Sequence, residues 1–201
     1  MKRAARGFTL LETLLALMLL GILLTVVTTT LLFTQRSVTR ADHYLHRLNE
    51  VRAAQNFLRR AVQQTLPIQY TREGVPQVFV GEPGLLRFAA VLPADLGGGI
   101  HWHILEVIGD GAAQALRIRF ETGALAAWGD PQWLLRDVRA VRLSYRGFDT
   151  LGQRTEWLDR WPWPRRLPGY VRIAVDADGP VPWTTLVIAL RLDLSDTVGE
   201  P

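Results

Sequence analysis

The N-terminal stretch of the chain reads Arg6-Gly7-Phe8-Thr9-Leu10-Leu11-Glu12-Thr13-Leu14-Leu15-Ala16-Leu17. It opens an apolar run that continues to Phe33 and contains one ionisable residue, Glu12. At about 1.5 Å per helical residue, this run is long enough to cross a hydrocarbon core of about 30 Å. A charged side chain inside a membrane-spanning helix costs about 2.5–3.5 kcal/mol, so Glu12 indicates a function and needs a cationic partner.

A cleaved secretory signal peptide is the main alternative for this run. The apolar region of such a peptide has about 7–15 residues and ends in small residues before the cleavage site. Residues 8–33 form a longer run, and the segment at 25–30, Thr-Val-Val-Thr-Thr-Thr, lacks that ending. Because Lys2, Arg3 and Arg6 favour a cytoplasmic N-terminus, we expect a single-pass anchor with the rest of the chain outside the inner membrane.

The composition excludes several classes of protein. The chain has no cysteine, which rules out disulfide frameworks, zinc-thiolate sites and cysteine nucleophiles. Its net charge is +4, but three of its 23 basic residues precede Gly7, and the remaining 20 nearly balance 19 acidic residues. Nucleic-acid binding requires basic residues clustered on one face. We therefore expect no nucleic-acid partner.

A helical pattern continues beyond the apolar run as an amphipathic helix over residues 34–66. Apolar residues recur at three- and four-residue steps with charged residues between them, and the next proline is Pro67, which ends the helix. The apolar stripe includes Val38, Ala41, Leu45, Leu48, Val51 and Leu58.

Beyond Pro67 the apolar period changes to two, which predicts half-buried strands separated by glycine, proline and Asp-Gly turns. The predicted strands cover residues 77–80, 85–92, 100–108, 116–120, 141–145, 171–175 and 186–194. One helix followed by many strands predicts an α+β fold in which the helix covers an antiparallel sheet, a β-rich domain at 67–194 and a flexible tail at 195–201. Residues 156–168 are rich in proline and predict an ordered loop.

Two histidine pairs are candidate metal ligands. His101 and His103 alternate on a predicted strand, so they point the same way and offer two imidazoles to one ion, with Glu106 nearby. No third ligand is identifiable, and two histidines on an exposed strand face are the favoured interpretation. His43 and His46 share a helix face among charged residues, which indicates a solvated surface. We therefore expect no metal and no cofactor.

Two glycine-containing segments resemble ligand loops only in part. Asp176-Ala177-Asp178-Gly179 has the opening of a calcium loop but lacks its later ligands, so an Asp-Gly turn between strands is favoured. Gly97-Gly98-Gly99 lacks the Lys-Ser/Thr of a phosphate loop, and a turn is the better interpretation. No catalytic constellation stands out, so we expect no enzyme activity.

Three tryptophans lie in the proline-rich loop: Trp157, Trp161 and Trp163. Tryptophan is enriched at interface hot spots, which favours a surface that binds a partner. Bulky aromatic residues flanked by prolines also complete small cores beneath loops. Core packing is the favoured interpretation, and a partner interface stays open.

The motif at residues 6–12 resembles the signal of the type IV pilin superfamily. It has a basic leader, Gly7 at the last leader position, Phe8 at the first mature position and Glu12 at the fifth, followed by an apolar helix. The resemblance implies that prepilin peptidase removes residues 1–7 and methylates the amine of Phe8. It also implies that the Glu12 carboxylate neutralises the N-terminal amine of its own or a neighbouring subunit.

The remaining chain resembles the minor pseudopilins of the J type from type II secretion systems. The resemblance lies in the long helix, in residues 134–148, in the tryptophan-rich loop with the following Leu167-Pro168 strand entry, and in the last strand. It implies a pilin-like fold in which residues 8–33 form the lipid anchor and filament core. The implied partners are the I-type, K-type and major pseudopilins. The apolar stripe of the helix would contact the chain's own sheet and also the helices of the I-type and K-type pseudopilins.

The resemblance therefore implies a minor pseudopilin at or near the tip of a short periplasmic filament that supports export of folded proteins. Two alternatives stay open. One is a minor pilin of a type IV pilus or of a DNA-uptake pseudopilus. The other is a membrane-anchored periplasmic metal enzyme that uses His101 and His103.

Overall fold

A computed structural model describes residues 10–72, 74–111, 113–177 and 179–192. Contacts divide the chain into two compact units, Met1–His46 and Arg47–Pro201. The described part of the first unit is helical throughout, and the second unit contains the end of the same helix and all the strands. The predicted α+β class is confirmed.

Helix α1 spans Leu10–Gln63, close to the predicted helix. Its last turn closes when the Thr65 backbone N–H and Oγ1 both donate to the Val62 carbonyl, at 3.2 and 2.8 Å. Pro67 disfavours helical geometry at Leu66, whose N–H instead donates to the Ala89 carbonyl at 2.8 Å. The chain therefore leaves the helix by pairing directly with the sheet.

Nine strands follow α1. They are β1 (Tyr70–Arg72), β2 (Val75–Gln77), β3 (Phe79–Glu82), β4 (Leu85–Val91), β5 (Ile100–Ile108), β6 (Gln114–Glu121), β7 (Ala127–Arg146), β8 (Tyr170–Ala177) and β9 (Leu186–Ala189). Strands β1 and β2 form a separate hairpin, and β3 to β9 form one antiparallel sheet in sequence order. A short 3₁₀ helix, Ala94–Leu96, connects β4 to β5.

The strand predictions differ from the structure mainly in β7 and β9. Strand β7 has 20 residues, and its first half pairs with β6 through several register shifts, although the sequence predicted a strand only at 141–145. The first half was missed because Gly129 and Pro131 interrupt the alternation there. The strand predicted at 186–194 ends at Ala189, and residues 193–201 lie outside the described part.

The main core lies between α1 and one face of the sheet, here called the core face. The α1 side chains that enter it are Val51, Ala54, Leu58, Ala61 and Val62. They pack on residues that alternate along the strands, such as Phe88 of β4, Leu105 of β5 and Ile118 of β6. The opposite face, here called the outer face, carries a smaller cluster around Trp102 and Tyr70. The predicted packing of the helix on the sheet therefore agrees with the structure.

The proline-rich loop bridges β3 and the end of β7. The backbone N–H groups of Val78 and Phe79 donate to the Pro164 carbonyl at 2.7 and 3.1 Å, and Leu158 exchanges two hydrogen bonds of 2.8 Å with Tyr145. Prolines lack amide donors but keep their carbonyl acceptors, so the loop still satisfies strand N–H groups.

A close approach between β3 and β7 gives a testable consequence. A Cβ atom on Gly81 would lie 2.7 Å from the Tyr145 ring, which is fully buried and donates its hydroxyl to the Glu82 carbonyl at 2.9 Å. We predict that Gly81→Ala lowers the free energy of unfolding by about 1–3 kcal/mol, because overpacking forces the ring or strand to move. Urea unfolding followed by tryptophan fluorescence measures this loss.

Gly84→Ala is the matched control, because a Cβ at this position meets open space. The steric account is wrong if the two variants unfold at the same urea concentration.

His103 belongs to the core rather than to an exposed strand face, so the favoured surface interpretation of the His101 and His103 pair is wrong. Its ring packs against Phe88 and Phe120, with centroids 5.2 and 5.0 Å away, and its exposed fraction is zero. His101 is also buried. Burial lowers the pKa of His103 to about 4, although the ring's hydrogen bond to the His101 carbonyl partly opposes that shift.

This depressed pKa makes folding sensitive to acid. Between pH 6.5 and about 4 the unfolded chain binds a proton at His103 and the folded chain does not, so stability falls as the pH drops through this window. The loss is ~3 kcal/mol. We predict that His103→Leu removes this part of the pH dependence of urea unfolding, whereas His46→Leu, at an exposed position, retains it. An unchanged pH dependence in His103→Leu would contradict the assignment.

Candidate functional site

The first part of α1 has the properties of a membrane anchor. Leu10–Thr29 is long and apolar enough to cross a bilayer, and none of it is buried against the protein. Large apolar side chains such as Leu11, Leu14 and Ile22 are all more than half exposed. Glu12 lies in the first turn of the helix, where a negative charge also interacts favourably with the helix dipole. This part of the chain therefore requires lipid or other subunits around it.

Threonine hydroxyls within the anchor bond back to the helix itself. Thr25 Oγ1 donates to the Gly21 carbonyl at 2.8 Å, and Thr28 Oγ1 donates to the Leu24 carbonyl at 2.7 Å. These bonds satisfy the hydroxyls in an apolar medium and are known to bend helices slightly. The helix is continuous through residues 25–30.

The predicted processing site, Gly7 and Phe8, lies outside the described residues, as do the side chains of Val38 and Ala41. Leu45 has an exposed fraction of 52%, as a partner-binding position requires. Leu48 is half-buried and packs against the core of its own domain. Contact between the N-terminal part of the apolar stripe and a partner helix therefore stays a prediction.

The prediction of a partner-helix face is wrong for Val51 and Leu58. Their exposed fractions are 3% and 0%, and both belong to the core between α1 and the sheet. The three- and four-residue spacing marks a buried helix face but does not say whether a sheet or another helix covers it. Here the sheet of the same domain covers it.

Trp161 agrees with the favoured core interpretation, and the alternative of a partner interface is wrong for it. It has an exposed fraction of 4% and donates from Nε1 to the Arg166 carbonyl at 2.9 Å. Trp163 packs edge-on against Trp161 with centroids 4.8 Å apart and borders the core. Trp157 is half-buried beneath the Arg172 guanidinium, 4.5 Å from its ring centre. The loop tryptophans therefore mainly complete the core, and a partner role for Trp157 stays a prediction.

Glu106 points to the outer face, away from His101 and His103, and joins a charged cluster with arginines. Arg117 and Arg119 bind its two carboxylate oxygens at 2.7 and 2.8 Å. Arg119 also contacts Glu121, which binds the buried Arg87 at 2.5 Å. Burial of Glu106 raises its pKa, but the arginine hydrogen bonds outweigh burial and lower the pKa. Each acid is held by two arginines.

The two candidate ligand segments lie in or beside connections between strands. The three glycines at 97–99 all have positive φ angles, between 64° and 104°, which glycine adopts without strain. They close the connection from the 3₁₀ helix to β5, where the Leu92 N–H donates to the Gly99 carbonyl. Asp176 lies within β8, which ends at Ala177, and Gly179, with φ of 106°, lies in the connection from β8 to β9. In the described part of the chain, no three histidine, aspartate or glutamate side chains come close enough to hold a metal ion.

Sequence reasoning missed an apolar groove beside α1. Its first section, of about 520 Å³, lies between Ala53 and Phe57 of the helix and Trp128 and Trp133 of β7. The two tryptophans have exposed fractions of 41% and 43%. The sequence did carry a signal, because these tryptophans lie five residues apart in a segment without predicted structure. Exposed tryptophans beside an apolar groove are typical of a binding surface.

The similarity of this chain to known proteins extends over both the membrane anchor and the β-rich domain. Residues 2–28 match the family model described as the prokaryotic N-terminal methylation motif. The chain is 38% identical over 205 residues to the type II secretion system protein J of Xanthomonas campestris pv. campestris, and the match covers 94% of this chain and 95% of that protein. Since this similarity extends over the apolar helix and the β-rich domain, the chain belongs to the family of type II secretion system protein J.

Proposed function

We propose that the protein is a minor pseudopilin of a type II secretion system, anchored in the inner membrane by the first part of α1. The observation that carries this proposal is the 38% identity to protein J of Xanthomonas campestris pv. campestris over 94% of the chain. The methylation motif at residues 2–28 and the exposed apolar span Leu10–Thr29 support it independently.

Processing would precede assembly. Prepilin peptidase would cut between Gly7 and Phe8, remove the basic leader and methylate the new amine of Phe8. The mature N-terminus would then lie on the cytoplasmic side and the β-rich domain in the periplasm, as the leader charges of Lys2, Arg3 and Arg6 favour.

Assembly would be driven by helix packing. In a filament, the apolar side chains of Leu10–Thr29 would exchange lipid for the helices of neighbouring subunits. Glu12 would pair with an N-terminal amine, and that pair would offset the cost of placing each charge in a medium of low dielectric constant. The neighbours in this proposal are the I-type and K-type pseudopilins and the major pseudopilin, with this subunit at or near the filament tip.

Two alternatives have less support. A type IV pilus or a DNA-uptake pseudopilus would use the same signal, but the relative that matches nearly the full length is a type II secretion protein. A metal enzyme would need His101 and His103 to present free ring nitrogens together. Both rings are buried, and the Nδ1 of His103 bonds to the His101 carbonyl at 3.0 Å.

Intact-mass measurement of the protein purified from membranes tests the proposal. We predict the mass of a chain that begins at Phe8 and carries one added methyl group. In a strain without prepilin peptidase, the mass should be that of the full chain with an unmodified Phe8. If the protein from the wild-type strain still contains residues 1–7, the proposal is contradicted.

A further inference from the structure

The outer face of the sheet carries three arginines where β7 pairs with β8. The cross-strand pairs are Arg142 with Ala174, Ser144 with Arg172, and Arg146 with Tyr170. The residues that alternate with them, such as Leu143 and Ile173, are buried in the core, so the paired residues point to the outer face. At about 3.3 Å per residue, Arg142 and Arg146 lie ~13 Å apart along β7.

Trp157 of the proline-rich loop extends this surface. The Arg172 guanidinium lies 4.5 Å from the centre of the Trp157 ring and donates from Nη2 to Ser144 Oγ at 3.2 Å. Arg146 donates from Nε to the Thr155 carbonyl at 3.2 Å. These contacts position two guanidinium groups but do not neutralise them, because a ring, a hydroxyl and a carbonyl carry no net charge. We call the following five residues the arginine patch: Arg142, Arg146, Trp157, Tyr170 and Arg172.

The charges of the arginine patch are unbalanced, unlike those on the neighbouring strands. On β5 and β6 of the same face, Glu106 and Glu121 are each held by two arginines. Among the residues that the structure describes, none of the three arginines of the patch forms an ion pair. Asp176, on the same face of β8, lies 3.9 Å from Arg139 instead. The patch therefore presents three uncompensated positive charges.

The sequence concentrates positive charge in the same region. Residues 142–172 contain seven arginines and three acidic residues, which gives a net charge of +4. The rest of the chain after Gly7 keeps 13 of its 20 basic and 16 of its 19 acidic residues, a net charge of −3. A surface with charge segregated in this way attracts a surface of opposite charge and disfavours one of like charge.

The residue types of the arginine patch indicate that this opposite charge belongs to a protein. Tryptophan, tyrosine and arginine are the residues most enriched at the hot spots of protein interfaces. Tyr170 is exposed, Trp157 is half-buried, and Val187 of β9, with an exposed fraction of 49%, lies opposite Arg172. Apolar area therefore lies directly beside the charges, and each guanidinium can bind a carboxylate through two parallel hydrogen bonds.

From these features we infer that the arginine patch binds an acidic surface of another protein. One carboxylate of the partner binds Arg142 and a second binds Arg146, while apolar side chains beside them contact Trp157 and Tyr170. This inference goes beyond the proposed function and does not depend on it, because it uses only charges and contacts of the β-rich domain.

Photo-crosslinking of the full-length chain in its native cells tests the inference. The photoreactive amino acid replaces Val187, which is exposed and lies beside Arg172. Arg142→Glu reverses one charge of the patch at an exposed position. Arg59→Glu makes the same change at an exposed position of α1, outside the patch, and is the matched control. Thermal unfolding checks that both variants fold.

The wild-type arginines should give a crosslink that maps, by mass spectrometry, to an acidic segment of another protein. Arg142→Glu should lower the yield of this crosslink about tenfold, and Arg59→Glu should leave it unchanged. In isolated membranes, high salt should also lower the yield, because salt screens charges at a protein surface.

Equal yields from the wild type and Arg142→Glu overturn the inference. It is also overturned by a crosslink to lipid, to a protein segment without acidic residues, or to residues 193–201 of the same chain, which contain three acidic residues. A wild-type chain that forms no crosslink to another protein overturns it as well.

Discussion

The fold depends on the contact between one face of α1 and the core face of the sheet. Val51, Leu58 and Val62 are fully or almost fully buried there, and each such side chain contributes about 1.5–3 kcal/mol when removed from water. This contact commits one face of the helix to its own domain. It also leaves the flank with Ala53 and Phe57 beside the sheet, where the two surfaces diverge and the groove forms.

The proline-rich loop completes this core beside β3, the edge strand of the sheet. It fills the space between β3 and β7 with Trp161 and satisfies the strand groups that no neighbouring strand reaches. Tyr145 links the same region, because its hydroxyl donates to the Glu82 carbonyl at 2.9 Å and its ring packs edge-on against Phe79. The domain core is therefore built from strands and from a loop that behaves as part of the sheet.

The sequence was informative where a pattern has one physical cause. The change from three- and four-residue spacing to alternation predicted the helix, most strands and the α+β class, because helix and strand periods differ. The processing motif at residues 6–12 and the full-length resemblance predicted the family.

Other features could not be predicted because they depend on what lies opposite a residue. Spacing alone did not show that the sheet covers Leu58, or that phenylalanines from two strands and α1 enclose His103. The ion pairs of Glu106 require the register that places β5 beside β6. The groove combines residues of α1 with residues of β7, a strand whose first half had no recognisable pattern.

The central functional claim is that the Glu12 carboxylate stabilises assembly by pairing with the N-terminal amine in an apolar medium. Glu12→Gln removes the charge and keeps the shape, while Glu12→Asp keeps the charge. Recovery of each variant in a complex with the other pseudopilins, at equal amounts in the membrane, tests the claim most directly. The account predicts that Glu12→Asp assembles and that Glu12→Gln stays in the membrane as a free subunit; assembly of Glu12→Gln at the wild-type level would contradict it.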